Sequence, residues 1–96
     1  MTIARVFDGK GWTPQQYDTL IKRINGGYSA PPGVLYHWAA ATSEGMYAVD
    51  VYENREAADR LGEMLGPLVD ELGFSMPTVS EFEVYTILQP QSSLPS

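Results

Sequence analysis

Two runs of sheet-forming residues, Val34–Ala41 and Met46–Tyr52, are separated only by Thr42-Ser43-Glu44-Gly45. A gap that short leaves room for a tight turn, so the two runs predict an antiparallel hairpin. With Ser43-Glu44 as the two-residue loop, Thr42 faces Gly45 and the register follows. Ala41 lies opposite Met46, Ala39 opposite Ala48, His37 opposite Asp50 and Leu35 opposite Tyr52. Side chains alternate along a strand, so these residues share one face. The other face carries Val34, Tyr36, Trp38, Ala40, Tyr47, Val49 and Val51, all apolar or aromatic, and is expected to pack on helices. A longer loop, or a bulge at Gly45, would shift the register and separate His37 from Asp50.

The flanking segments supply the remaining elements. Thr2–Asp8 reads as a strand with Ile3, Val6 and Phe7 as apolar members, broken by Gly9-Lys10-Gly11. Thr13-Pro14-Gln15-Gln16 is a helix start, with Thr13 as cap, proline in the first turn and Gln16 completing a capping box. Tyr17, Leu20, Ile21 and Ile24 then fall on one helix face. Asn25-Gly26-Gly27 ends that helix, and Tyr28–Gly33 is a loop. Asn54 caps a second helix, whose buried stripe is Ala57, Ala58, Leu61, Met64, Leu65, Leu68, Val69 and Leu72. Pro67 clashes with the carbonyl four residues back, which predicts a kink or a break. Gly73 closes this element, Phe74–Pro77 connects, and Thr78–Leu88 is the last strand. The order is βαββαβ, an α+β pattern that forms a four-stranded antiparallel sheet with both helices on one face.

With 96 residues the chain is expected to be one domain over residues 1–88, followed by a flexible Pro/Ser/Gln-rich tail over 89–96. A hydrophobic fraction of 44% with 19% charged residues suits a folded domain. The chain has no cysteine, which excludes disulfides and thiolate metal sites. One histidine with nearby carboxylates is below the usual ligand count for zinc, so no metal is expected. The first residues lack the basic-then-apolar pattern of a signal peptide, and no apolar run reaches the roughly 20 residues that span a bilayer. A cytoplasmic protein without a membrane partner is the expectation. The net charge of −6 and the absence of a basic stripe argue against nucleic acid.

The face that holds His37 and Asp50 is otherwise small and apolar, with Leu35, Ala39, Ala41, Met46 and Ala48. Arg5, Glu83 and Tyr85 are expected to join it from flanking strands, and Arg5 and Glu83 to form an ion pair. On a monomer this face would be an exposed apolar patch. Cover by a second copy is the simplest solution, which predicts a homodimer.

Three stretches resemble the dimeric α/β-barrel superfamily: Gly33-Val-Leu-Tyr-His-Trp, the hairpin end Val49-Asp-Val-Tyr-Glu-Asn-Arg-Glu-Ala, and Leu65-Gly-Pro-Leu-Val-Asp-Glu-Leu-Gly. Within it the chain is similar to the small antibiotic biosynthesis monooxygenase-like proteins, from Thr2 to about Leu88. The resemblance implies a ferredoxin-like fold, a homodimer whose sheets form a barrel, and a pocket between sheet and helices in each subunit. It admits cofactor-free oxygenases, cyclases and isomerases, and so implies that no cofactor is expected. It argues against the haem-degrading branch, which needs a ligand histidine on the second helix.

His37 and Asp50 are the candidate catalytic pair, a general base with a carboxylate holding its tautomer. A buried histidine satisfied by Asp50, with no chemistry, is the structural alternative. Tyr52 and Tyr85 are candidate phenol donors to a ligand, Leu35 and Met46 candidate wall residues. Trp38 is a core residue in this register, yet in barrels of this type it could line the pocket. Three readings follow. The first is an enzyme that moves a proton on an apolar or aromatic, polyketide-like molecule. The second is a dimer that binds a ligand or partner without chemistry. The third is a structural dimer with no ligand.

Overall fold

The computed structural model describes residues 1–25 and 31–88. The elements are β1 (Ile3–Lys10), α1 (Pro14–Asn25), β2 (Val34–Thr42), β3 (Gly45–Tyr52), α2 (Arg55–Leu72) and β4 (Thr78–Glu83). The expected stop at Gly26-Gly27, the loop as far as residue 30 and the tail 89–96 lie outside the described residues. The strands form one sheet in the order β2-β3-β1-β4, with every pairing antiparallel. This is a ferredoxin-like α+β fold. Among the described residues, no helix is long and apolar enough to cross a membrane.

The local signals at the helix ends work as read. The Gln16 N–H donates to Thr13 Oγ1 at 3.1 Å, and the Thr13 N–H donates to Gln16 Oε1 at 3.0 Å. The two bonds satisfy amides that the first turn of α1 leaves open. Asn54 caps α2 by accepting from the Ala57 N–H at 2.8 Å. Gly73 ends it in the left-handed conformation (φ 76°), where its N–H reaches the Asp70 carbonyl at 3.0 Å. The expected break at Pro67 does not occur; α2 runs through it as one helix. Proline removes a hydrogen bond to the carbonyl of Glu63, and both residues are exposed, so water can take over that carbonyl.

Along the hairpin the register holds from Thr42↔Gly45 through His37↔Asp50 to Tyr36↔Val51. A bulge then intervenes, so Val34, not Leu35, faces Tyr52, and Leu35 is the extra residue. The larger correction concerns the faces. The helices cover the side that carries His37, Asp50 and Tyr52, not the aromatic side. Tyr52 is 1% exposed and forms a core cluster with Ala57, Ala58 and Leu61 of α2. Val34 packs on that cluster too, because the bulge turns it to the helix side. Tyr36, Trp38 and Tyr47 lie on the uncovered side and are exposed.

β4 is shorter than Thr78–Leu88. It pairs only with β1, and Glu83 already lies opposite Ile3. One further bond, from the Val84 N–H to the Thr2 carbonyl at 3.0 Å, exhausts the partner strand. This register also moves the expected ion pair. Arg5 faces Glu81 rather than Glu83. Its Nε donates to Glu81 at 2.9 Å, its Nη2 to Asp59 at 2.8 Å and its Nη1 to the Ala58 carbonyl at 3.0 Å. One side chain thus ties α2 to β1 and β4. Its hydrogen bond, backed by the nearby Arg55, holds the Glu81 carboxyl below its usual range.

A second cluster, Trp12, Leu20 and Val69, fastens the opposite end of the helices. The Trp12 ring meets Phe74 edge-on at 5.2 Å, and its indole N–H donates to the Ser75 carbonyl at 2.8 Å. The connector after α2 is anchored through these contacts, its polar tip satisfied and its ring buried.

Candidate functional site

The helices do not close fully on the sheet. Between them lies a cavity of about 630 Å³, within the usual range for a small-molecule site. Its walls are largely apolar: Leu20, Ile21 and Ile24 from α1, Leu61, Leu65 and Val69 from α2, and Phe7, Met46 and Ala48 from the sheet. Gly62 and Gly66, one turn apart on α2, also face it and contribute no side chain. A methyl group on Gly66 would meet only the end of Met76, at 4.0 Å. Gly66 thus keeps open a space that a leucine would fill, whereas a methyl group on Gly62 would lie 3.3 Å from the Arg5 guanidinium, so Gly62 makes room for Arg5.

The polar end of the cavity is built by a hydrogen-bonded chain. His37 on β2 and Asp50 on β3 are direct cross-strand partners, and His37 Nδ1 bonds Asp50 Oδ1. The Tyr52 hydroxyl donates to the other carboxylate oxygen, Oδ2, at 2.7 Å. On the far side of the imidazole, Nε2 bonds the hydroxyl of Tyr17 from α1. The Tyr17 and His37 rings are parallel, with centroids 5.9 Å apart. A carboxylate can only accept, so His37 Nδ1 carries a proton, and in the neutral tautomer this fixes, Nε2 is the acceptor that faces the Tyr17 hydroxyl. In that tautomer the donor sequence is Tyr17 O–H to His37 to Asp50, with Tyr52 supporting Asp50 from below.

Asp50 is 5% exposed and the His37 side chain 30%. Burial raises the Tyr52 phenol far above its usual range, and the Asp50 charge adds to this. The Tyr17 phenol is raised for the same first reason, with Asp50 and Asp18 adding to it. Both phenols therefore keep their protons at neutral pH. Among the described residues, no three His, Cys, Asp or Glu side chains converge to hold a metal ion.

Compared with known protein families, curated proteins and solved structures, the chain matches none of them.

The residues singled out from sequence divide into three groups. His37, Asp50, Met46 and Leu35 line the cavity. Tyr52 touches Asp50 but is buried beneath it, among core residues of α2. Trp38 is 51% exposed on the opposite side of the sheet, and Tyr85 is 99% exposed beyond the end of β4. Neither reaches the cavity. Tyr17 was legible only as one member of the apolar stripe of α1. A tyrosine in such a stripe brings its hydroxyl to whatever the helix covers. That this would be His37 depends on which face α1 covers.

Proposed function

We propose that this chain is a small-molecule enzyme, similar to the antibiotic biosynthesis monooxygenase-like proteins, that works as a homodimer on an apolar or aromatic, polyketide-like compound. The observation that carries this reading is the His37–Asp50 pair on the wall of a largely apolar cavity. The buried carboxylate fixes the imidazole tautomer and balances the charge that forms when the ring takes a proton. The apolar walls exclude water and leave one polar end to orient a substrate. Removing a proton beside a carbonyl needs neither metal nor flavin, so isomerisation, cyclisation and cofactor-free oxygenation lie within the reach of these groups.

The test is turnover of a panel of aromatic ketones and phenols. His37→Ala is expected to lower it by at least about a hundredfold, in line with the loss of a general base, with circular dichroism unchanged. Full turnover in His37→Ala would overturn the role of the pair. Binding of panel compounds with no turnover by the wild type would leave a dimer that holds ligands without chemistry.

The helices occupy the face on which the sequence placed the dimer contact, and it is the opposite, uncovered face that supports the dimer. Tyr36, Trp38, Tyr47 and Phe82 are all exposed there, and the Trp38 and Tyr47 rings are neighbours at 6.2 Å. Val6, Val49 and Val51 fill the positions between them. A contiguous aromatic patch on a soluble chain calls for a partner, and a two-fold contact of the face with itself is self-complementary. The wild type is expected to sediment at twice the 10.6 kDa chain mass. Trp38→Glu, which puts a charge into the aromatic patch beside Tyr47, is expected to sediment as a monomer with its helix content kept. A wild type that sediments as a monomer at tens of micromolar would refute the dimer.

A further inference from the structure

His37 has no nitrogen left for a ligand. Its Nδ1 faces Asp50 and its Nε2 faces the Tyr17 hydroxyl. A base closed on both sides can act only through one of its partners. Asp50 also borders the cavity, but it is 5% exposed and both of its carboxylate oxygens are engaged, one by His37 and the other by Tyr52. Tyr17 lines the cavity, and a phenol oxygen that donates to His37 still has lone pairs for a second bond.

We propose that Tyr17 is the residue that exchanges a proton with the substrate, with His37 and Asp50 behind it, and that the substrate is a ring-bearing ketone with an acidic C–H beside its carbonyl. This rests on the proton-transfer role proposed above for His37 and Asp50. The C–H bond breaks and its proton goes to the Tyr17 oxygen, while the Tyr17 hydroxyl proton passes to His37 Nε2. The electron pair of the C–H bond moves onto the carbonyl oxygen, giving an enolate. The imidazolium is balanced by Asp50. The reverse sequence returns a proton to the same carbon, or to another carbon of an extended enolate, and the second case is an isomerisation. No oxidant or co-reactant is consumed. A carbon acid is the substrate class because protons on oxygen exchange with water unaided, whereas a C–H proton needs a positioned base. The ring body suits the apolar walls, which extend from Tyr17 to the side-chain-free stretch at Gly62 and Gly66.

The test uses 2-tetralone in D2O, with loss of its C1–H signal followed by NMR and its dissociation constant measured by equilibrium dialysis. Wild type is expected to exchange this proton faster than buffer. Tyr17→Phe, which keeps the ring, is expected to be at least about tenfold slower with affinity held within about twofold, as for a lost acid–base group. Tyr17→Leu, a good helix former at the same stripe position, is the second variant and is expected to show the same loss. Exchange in Tyr17→Phe that is as fast as wild type, or faster because Nε2 is uncovered, would overturn the role of Tyr17 and leave His37 as the direct base. Wild type no faster than buffer, with 2-tetralone bound, would overturn the proton-transfer role of His37 and Asp50 and that of Tyr17 with it.

Discussion

Asp50→Ala is expected to destabilise the fold by about 3 kcal/mol, since a buried donor left without an acceptor costs about 1–3 kcal/mol. Asp50 accepts from two side chains at once, His37 Nδ1 and the Tyr52 hydroxyl. Tyr52 is 1% exposed, so its hydroxyl loses its acceptor inside the core. Removing a buried charge also relieves some desolvation, which works in the opposite direction. The orphaned Tyr52 hydroxyl, the loss of the His37 partner and the unfilled space outweigh that relief. Urea denaturation checks the result, as a lower midpoint with an unchanged slope. The double variant Asp50→Ala/Tyr52→Phe discriminates the cause. With the stranded hydroxyl removed, it is expected to be about 1 kcal/mol more stable than Asp50→Ala alone. A double variant less stable than the single one would mean that the Tyr52–Asp50 bond is not what Asp50 supplies to the core.

Gly45→Ala is the second large effect, and its origin is purely steric. A Cβ on Gly45 would lie 2.1 Å from the Gly9 carbonyl oxygen and 2.8 Å from the Gly11 nitrogen, at φ 154°. Both neighbours are backbone and cannot rotate away. Relief requires the tip of the hairpin to move off the end of β1. That motion breaks the Lys10↔Gly45 pairing and the 2.7 Å bond from the Gly11 N–H to the Glu44 carbonyl. The expected loss is about 3 kcal/mol or more, at the top of the range for backbone strain. That corresponds to a fall in melting temperature of about 15 °C for a domain of this length. Gly73→Ala is the control. It also sits at positive φ, but a Cβ there meets nothing within 4 Å. Its cost is about 1 kcal/mol, from the left-handed backbone alone. Equal melting temperatures for the two variants would contradict the contact between the hairpin tip and β1.

The pairing of His37 with Asp50 was legible because a two-residue loop sets the register of a whole hairpin. The caps at Thr13 and Asn54 were legible because capping is local, made by side chains within three residues of the amides they satisfy. The end of β4 was not, since it depends on where β1 runs out rather than on the residues Val84 to Leu88 themselves. The Arg5–Glu83 pair failed for a related reason. The register between β1 and β4 is set across a distant crossing, and it brings Glu81 opposite Arg5.

By itself, then, the sequence determined the element order, the hairpin register from the turn as far as Tyr36, the caps at Thr13, Asn54 and Gly73, and the adjacency of His37 and Asp50. These follow from short-range geometry and from the period of the apolar residues. Only the tertiary structure decided which face the helices cover. Both faces of the hairpin are apolar enough to be a core, and alternation distinguishes the faces without saying which one is inside. The path and handedness of the crossover connections make that choice, and they are not written in the pattern of the strands. That one decision leaves Trp38 and Tyr36 uncovered, encloses the cavity on the His37 side, and brings Tyr17 onto the imidazole.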